Sequence, residues 1–560
     1  MIVGVDSSTF RLLTPLIEAG ELPTIGRLVR EGAYCDLLSS IPSVTPPGWV
    51  TSFTGVNPGK HNVFDFKDHT RYLDDPTNTE MASVTSGTMM ADPFWKLLEN
   101  EGLSTGMVNV PMIYPVEAIN GYSIAGFPCP TEGEGLHYPS EIEDEVLKVV
   151  PDYRFYGAPG YLKDGEPALY LKDINRISEG RAKAALHLMK EWPTDIVLFV
   201  FSEVDRIQHF FWNTFDENHP THNAEKAHFK RAIPDHYRVI DRNLAEMMEL
   251  AGPDINVIVY SDHGAAPVTR QFYPNTYLIM EGIIQMKGSK GGAAAQSDVE
   301  KIDKVREGRL DRRRIERILR RMGIEHWIHR IPKSIRTILP TISFETVDWS
   351  ATKAYFSSAS AQAFTINLKG REPEGCVEPG REYEEAVEEV IGLLELLRDP
   401  DTGKSPFASI YKKQDLWDGP FIGNGPDIIT VPAEGYVAYR DIKDYVFEDV
   451  GGGWHNRSSD HEREGVVILY GPGIRRGVEM NTHHIEDIAP TILHMCGAGV
   501  PRYMDGKVME EAFEEDWLLS NPVRYTGDGT FRATEKDGPS MTMEEEELLK
   551  ERLRGLGYLG

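Results

Sequence analysis

The sequence predicts an α/β fold with a mostly parallel central sheet covered by helices on both faces. Short, uniformly apolar and β-branched runs, such as Ile196-Val-Leu-Phe-Val-Phe201 and Ile255-Asn-Val-Ile-Val-Tyr260, read as strands buried inside a sheet. Stretches with helical periodicity alternate with them, which is the pattern of a sheet layered by helices. Acidic and histidine residues follow directly on the strands, and in open parallel sheets the functional crevice lies beyond the carboxyl ends of strands.

Residues 1–6 form the first expected strand, ending at Asp6. Leu12 to Glu31 has helical spacing broken around Pro23, and Ala33 to Ile41 reads as the next strand. That strand leads into Ile41-Pro-Ser-Val-Thr45-Pro-Pro-Gly-Trp49, where prolines suited to a helix start follow Thr45. Thr45 is expected at the N-cap, beside unpaired N–H groups that favour an anion or an ionised hydroxyl. By itself Thr45 is better explained as a plain cap, since Ser and Thr are common caps. Residues 56–70 read as a polar loop, Gly106–Val110 with Asn109 as a strand, and the passage to about residue 140 as irregular.

The strand 196–201 runs into Ser202-Glu-Val-Asp205-Arg-Ile-Gln-His209, where a helix would put Asp205 and His209 on one face. A helical pattern at 235–250 precedes the strand that ends in Ser261-Asp262-His263-Gly264. From 286 to 344 the composition changes: Gly288–Gly292 reads as a junction, and Lys304–Arg336 is dense in arginine with Ile315, Ile318, Leu319 and Met322 at helical spacing. We read 286–344 as an inserted basic helical lid meeting an anionic substrate; a solvated basic helix and a membrane-surface contact are the alternatives. The core then resumes over 345–510, completing the part in 1–285. It holds a helix near 383–398, a strand at Ile428–Val431, the polar loop Gly451–His461, a strand and turn at Gly465–Gly473, and a helix at Ile485–His494. Residues 511–560 read as a C-terminal appendage.

Composition sets outer bounds. Lys+Arg 59 against Asp+Glu 87 gives a formal charge of -28, which argues against nucleic-acid binding and fits a protein that holds cations. The 4 cysteines form no CxxC pair, so neither a disulfide framework nor a thiolate zinc site is indicated. No basic and apolar leader pattern and no run of about 18 apolar residues is found, so a cytoplasmic protein without a transmembrane segment is expected.

Asp6, Thr45, Asp205, His209, Asp262, His263 and His461 supply three carboxylates, three imidazoles and a hydroxyl, donors that suit zinc, manganese or iron. Each alone has a structural explanation as a cap, a first-turn acid or a core histidine, and spacing does not show that they converge. Val3-Gly-Val-Asp6, Pro42-Ser-Val-Thr45-Pro-Pro-Gly-Trp49, Thr54-Gly-Val-Asn-Pro-Gly-Lys-His61, Glu203-Val-Asp205 with His209, Ser261-Asp-His-Gly264, and His461-Glu-Arg-Glu-Gly465 with Gly471-Pro-Gly473 occur in an order that resembles the alkaline phosphatase superfamily. Within it the sequence is most similar to the type I phosphodiesterase/nucleotide pyrophosphatase branch and its predicted phosphohydrolases and phosphomutases. The resemblance covers 1–510 apart from the insert.

It implies an alkaline-phosphatase-like sandwich and two divalent ions, most readily zinc, about 4 Å apart. Asp6, Asp262, His263 and Thr45 would hold one, and Asp205, His209 and His461 the other. Thr45 would attack phosphorus and form a phospho-threonine that water or an alcohol releases. His455 competes with His461 as a ligand, but only His461 precedes the 465–473 strand and turn. The phosphate-contacting Asn usual downstream of the nucleophile is replaced in the neighbourhood Phe64-Asp65-Phe66-Lys67, with Asn62 off register. Lys67 and Asn109 are therefore the expected substrate contacts, with the insert's arginines as further cations. A sulfatase is disfavoured, because Thr45-Pro-Pro-Gly-Trp49 lacks the required Cys or Ser and the Arg.

The expected activity is hydrolysis of a phosphodiester or pyrophosphate in a small phosphate ester. The alternatives are a phosphomonoesterase, phosphomutase or headgroup phosphotransferase on the same site, and a metal-binding scaffold without catalysis. Oligomeric state is left open.

Overall fold

The structure, a computed structural model, describes residues 1–72, 81–157, 160–287, 343–443, 445–534 and 543–555. Among them the largest sheet has ten strands. Its centre is the strand Ile2–Val5, parallel to Ile196–Phe201 on one side and Val257–Tyr260 on the other. Thr105–Val110 and Gly121–Ala125 extend it in parallel. On the other flank Glu464–Tyr470 runs antiparallel between Val257–Tyr260 and Ala33–Leu38. The sheet is therefore mostly parallel, as expected, and Ala33–Leu38 runs in the same sense as the first strand with two strands between them.

Alternation along the central strands fills two cores, one on each face. Val3, Phe199, Val259 and Ile468 pack on one side, and Ile2, Leu198, Ile258 and Val467 on the other. Helices cover both. Pro167–Glu191 and Ala232–Ala251 supply Ala185, Leu188, Ile240 and Leu244 to the first core, while Thr45–Thr54 and Ile488–Met495 supply Trp49, Phe53, Ile492 and Leu493 to the second.

The chain does not re-enter the main sheet directly after the 286–344 region. Ala354–Ser358, Ala363–Ile366, Ile428–Pro432 and Phe407–Lys412 form a separate four-stranded antiparallel sheet, packed with helix Arg381–Leu396 around Phe356, Phe364, Val390 and Leu394. Of the 286–344 segment read as a lid, residues 288–342, with the arginine-dense 304–336, lie outside the described residues. At the edges of that gap Met286 bridges to Val347, so the chain returns to where it left. Within the C-terminal region read as an appendage, Met543–Gly555 is a helix; Glu546 accepts hydrogen bonds from Ser83 N at 2.6 Å and Ser83 Oγ at 2.8 Å, and Leu549 joins the first core.

The polar loop expected at 56–70 is partly regular: Pro58–His61 is a helical turn and Lys67–Tyr72 a strand paired with Met81–Ser83. Asn57 caps that turn by accepting from Gly59 N, a local bond that polarity alone does not predict. No helix among the described residues is long and apolar enough to cross a membrane.

Candidate active site

The helix that begins at Thr45 sits over the ends of the central strands because two glycines let it approach. A Cβ on Gly4 would lie 2.3 Å from the Trp49 ring, and one on Gly48 would lie 3.1 Å from the Asp262 carbonyl oxygen. Thr45 is the first helical residue, not the N-cap. Val44, extended at φ -141 and ψ 150, holds the cap position, and its carbonyl accepts from Gly48 N at 3.0 Å. The correction matters chemically, because the Thr45 hydroxyl is not used to cap the helix. It points to His263 Nε2 at 3.4 Å.

Asp6 follows the first strand, with its N–H on the Phe201 carbonyl at 3.0 Å. Asp262 and His263 follow the neighbouring parallel strand, so the topology brings them beside Asp6. His263 Nε2 lies 3.3 Å from Asp262 Oδ2 and 3.7 Å from Asp6 Oδ1. On helix Glu203–Phe215, Asp205 and His209 stand one turn apart, with Asp205 Oδ1 3.2 Å from His209 Nε2. His461 comes from the short strand Ser459–Glu462, placed opposite Ala265 by antiparallel pairing with Gly264–Phe272. Its Nε2 lies 3.2 Å from His209 Nε2 and 3.5 Å from Asp205 Oδ1. The two groups adjoin, for the His263 and His461 rings stack at 3.9 Å between centroids. All seven residues expected from the sequence are thus gathered in one buried place.

These donors fit divalent cations. His209 Nδ1 faces the Ser459 carbonyl at 2.9 Å and His263 Nδ1 the Gly264 carbonyl at 3.1 Å. A carbonyl oxygen only accepts, so each Nδ1 carries a proton, which leaves Nε2 as the nitrogen that would turn a lone pair to a bound cation. Asp6 Oδ1 and Asp262 Oδ2 are buried oxygens that receive no N–H or O–H donor from the protein. Uncompensated buried carboxylates are costly, and a bound cation removes that cost.

Electrostatics differ across the site. Burial, then the neighbouring Asp262 and Asp205 carboxylates, raises Asp6 well above the ordinary carboxylate range. Burial likewise pushes Asp262 up to about 7. For Asp205 burial acts in the same direction, but the His209 and His461 imidazoles outweigh it and hold the carboxyl well below its usual value. Burial and the nearby His461 keep His263 neutral far below its ordinary range.

Asn109 uses its amide nitrogen within the fold. Nδ2 donates to the Val200 carbonyl at 2.7 Å and to Ser202 Oγ at 3.2 Å, which ties a bulge in its own strand to the strand before the Asp205 helix. The amide hydrogens expected for substrate are engaged within the fold. Lys67 is buried at the start of its strand, on the segment that follows the Thr45 helix. Asp65, in the register where an Asn is usual, accepts from Ser358 Oγ and Ser360 Oγ at 2.5 Å each. His455 is exposed and is not among the gathered ring nitrogens.

Sequence reasoning passed over Asp460, whose carboxylate lies with the ring nitrogens of His209 and His461 inside a mutual 4.8 Å. It also passed over the support of the Asp205 helix. There Arg181 NH1 donates to Ser202 Oγ at 3.0 Å and pairs with Glu203, all three side chains being buried. The only sequence signal for Asp460 is adjacency to His461, which does not tell a ligand from a bystander.

No curated protein matches the chain. Among solved structures it is similar to human ectonucleotide pyrophosphatase/phosphodiesterase 5, at 12% identity and a TM-score of 0.43, covering 93% of this chain and 98% of that one. It is also similar to phosphonoacetate hydrolase from Sinorhizobium meliloti 1021 in complex with phosphonoformate, at 16% identity and a TM-score of 0.45, covering 87% and 93%. Residues 1–462, which contain every one of the seven gathered residues, match the family described as type I phosphodiesterase/nucleotide pyrophosphatase. The chain belongs to that family of phosphoester hydrolases in the alkaline phosphatase superfamily.

Proposed function

We propose that the protein hydrolyses a phosphodiester or pyrophosphate bond in a small phosphate ester through a phosphorylated Thr45, with two divalent ions held at the site. Asp6, Asp262, His263 and Thr45 would hold one ion, and Asp205, His209 and His461 the other; zinc suits these nitrogen and oxygen donors, with manganese or iron as alternatives. The observation that carries the reading is the placement of the Thr45 hydroxyl, free of capping duty and 3.4 Å from His263 Nε2, at the edge of a nest of buried carboxylates.

When bound, the ions would supply the charge that favours ionised Thr45 and offsets the negative charge growing on the entering and leaving oxygens. Thr45 Oγ1, having lost its proton, forms a bond to phosphorus as the bond from phosphorus to the leaving oxygen breaks. Water then attacks the same phosphorus from the vacated side, the Oγ1–phosphorus bond breaks, and Thr45 regains its proton. The burial of Thr45, Asp6, Asp262 and His263 keeps bulk water from competing in the first step. Lys67 is the side chain we retain for binding substrate charge, supported by its burial on the segment after the nucleophile helix. Four free cysteines, Cys35, Cys129, Cys376 and Cys496, support a reducing, cytoplasmic location.

The test is metal content together with turnover of bis-p-nitrophenyl phosphate and p-nitrophenyl phosphate. About two ions per chain and faster diester than monoester turnover are expected. Thr45→Ala should lower turnover by at least about 10³-fold, well beyond any loss of metal, because Asp6, Asp262 and His263 remain to hold the ion. Faster monoester turnover would instead favour a phosphomonoesterase or transferase, and Thr45→Ala with intact turnover would refute the nucleophile.

A further inference from the structure

The two groups of donors are unequal as counted so far. One has two carboxylates and an imidazole; the other has Asp205 alone against the imidazoles of His209 and His461. Asp460 redresses this. Its carboxylate and the ring nitrogens of His209 and His461 lie within 4.8 Å of one another, the spread expected of groups around a single cation. The carboxylate is also oriented. Asp460 Oδ1 accepts from Arg457 NH1 at 2.8 Å and from His461 N at 3.0 Å, so both bonds fall on the same oxygen. The segment that carries it is fastened to the Asp205 helix, since Ser458 N donates to the His209 carbonyl at 2.6 Å and Asn213 N to Ser458 Oγ at 3.3 Å. A side chain held this way differs from a solvated surface acid, which would share neither the ring nitrogens nor the anchored backbone.

We propose that Asp460 is a fourth protein group of the metal centre formed by Asp205, His209 and His461. The inference rests on the two-metal reading above and extends it to the composition of one centre. With Asp460 that centre holds two carboxylates and two imidazoles, and each half of the site carries two carboxylates for one divalent ion. The added oxygen donor makes this half more accommodating to Mn²⁺ than an Asp and two His alone. Arg457 is then a positioning residue, which orients the carboxylate.

The experiment uses the full-length protein stripped with a chelator and titrated with Co²⁺, following the visible absorption of the bound ion, and with Mn²⁺, following its magnetic resonance signal. Wild type should take two Co²⁺. Asp460→Asn, which preserves shape, should keep one site unchanged and weaken the other about 10–100-fold, with an altered Co²⁺ spectrum and a larger loss for Mn²⁺. Asp460→Ser serves if the Asn variant folds poorly, and the melting temperature in chelator verifies the fold of each. Two sites of wild-type affinity and spectrum in Asp460→Asn would overturn the proposal and leave Asp460 as a partner of Arg457 only. Fewer than two Co²⁺ in wild type would overturn the two-metal reading itself, and this inference with it.

Discussion

Asp6 and Asp262 stand at the ends of adjacent parallel strands, Ile2–Val5 and Val257–Tyr260, whereas Asp205, His209 and His461 are joined by a helix and a short strand outside the main sheet. The first group inherits its geometry from the register of the central sheet. The second depends on how Ser459–Glu462 docks against Gly264–Phe272 and on the Ser458 bond to the His209 carbonyl. Their charges differ as well. Burial and mutual repulsion make the ionised carboxylates of the first group unfavourable without a cation, while the second group pairs Asp205 with imidazoles that stabilise its charge. Two halves of one site thus respond oppositely to losing their counter-charge.

That contrast gives a pair of variants with opposite signs. In chelator at pH 8, Asp205→Asn removes the carboxylate that favours a charged His461, and should cost about 3 kcal/mol, read as a lower melting temperature. Asp262→Asn should raise the melting temperature by an amount on the order of 1 kcal/mol, because it deletes a charge that burial disfavours. The sign follows from linkage. With its folded value raised to about 7, Asp262 contributes its stability in full below the ordinary carboxylate value and loses it as pH rises through about 7. Saturating Zn²⁺ should reverse the second effect and make Asp262→Asn the less stable protein. Equal destabilisation by both variants in chelator would remove the distinction between the halves.

A smaller effect sharpens the comparison from outside the site. His483 is buried between two carboxylates, with Nδ1 2.8 Å from Asp487 Oδ2 and Nε2 2.9 Å from Glu511 Oε1. Both ring nitrogens donate, so it has no lone pair to offer a metal. Burial opposes its charge, but Asp487 and Glu511 prevail and raise its pKa. Its stabilisation is therefore complete below the unfolded value of about 6.5 and fades as pH rises through the raised folded value. The loss should be about 1 kcal/mol, absent in His483→Gln, and indifferent to chelator. A chelator-sensitive result would mean that the cluster binds metal after all.

Much of this site could be read from residues in order. Strand ends announced Asp6, Asp205 and Asp262, and the four-residue interval between Asp205 and His209 is a local helical relation that the structure keeps. What was hidden depends on contacts distant in sequence. Asp460 gains meaning only when Ser459–Glu462 pairs with residues near 265. Asn109 looked like a donor for substrate because its φ of +58 and its bonds to Val200 and Ser202 have no trace in the local pattern. The N-cap position fell to Val44 because backbone conformation, not side-chain capping propensity, decides where the helix begins. The separate sheet around Phe356 and Phe364 was read as more of the core, since short apolar strands look alike whichever sheet receives them.

The measurement that tests the account most directly is rapid acid quench of the metal-loaded enzyme during turnover of bis-p-nitrophenyl phosphate, followed by mass spectrometry of the peptide containing Thr45. The account predicts a p-nitrophenyl phosphoryl group on Thr45 that appears with the first product, decays as substrate is exhausted, and is absent from Thr45→Ala. Steady turnover with no covalent adduct at Thr45, or an adduct at another residue, would contradict it.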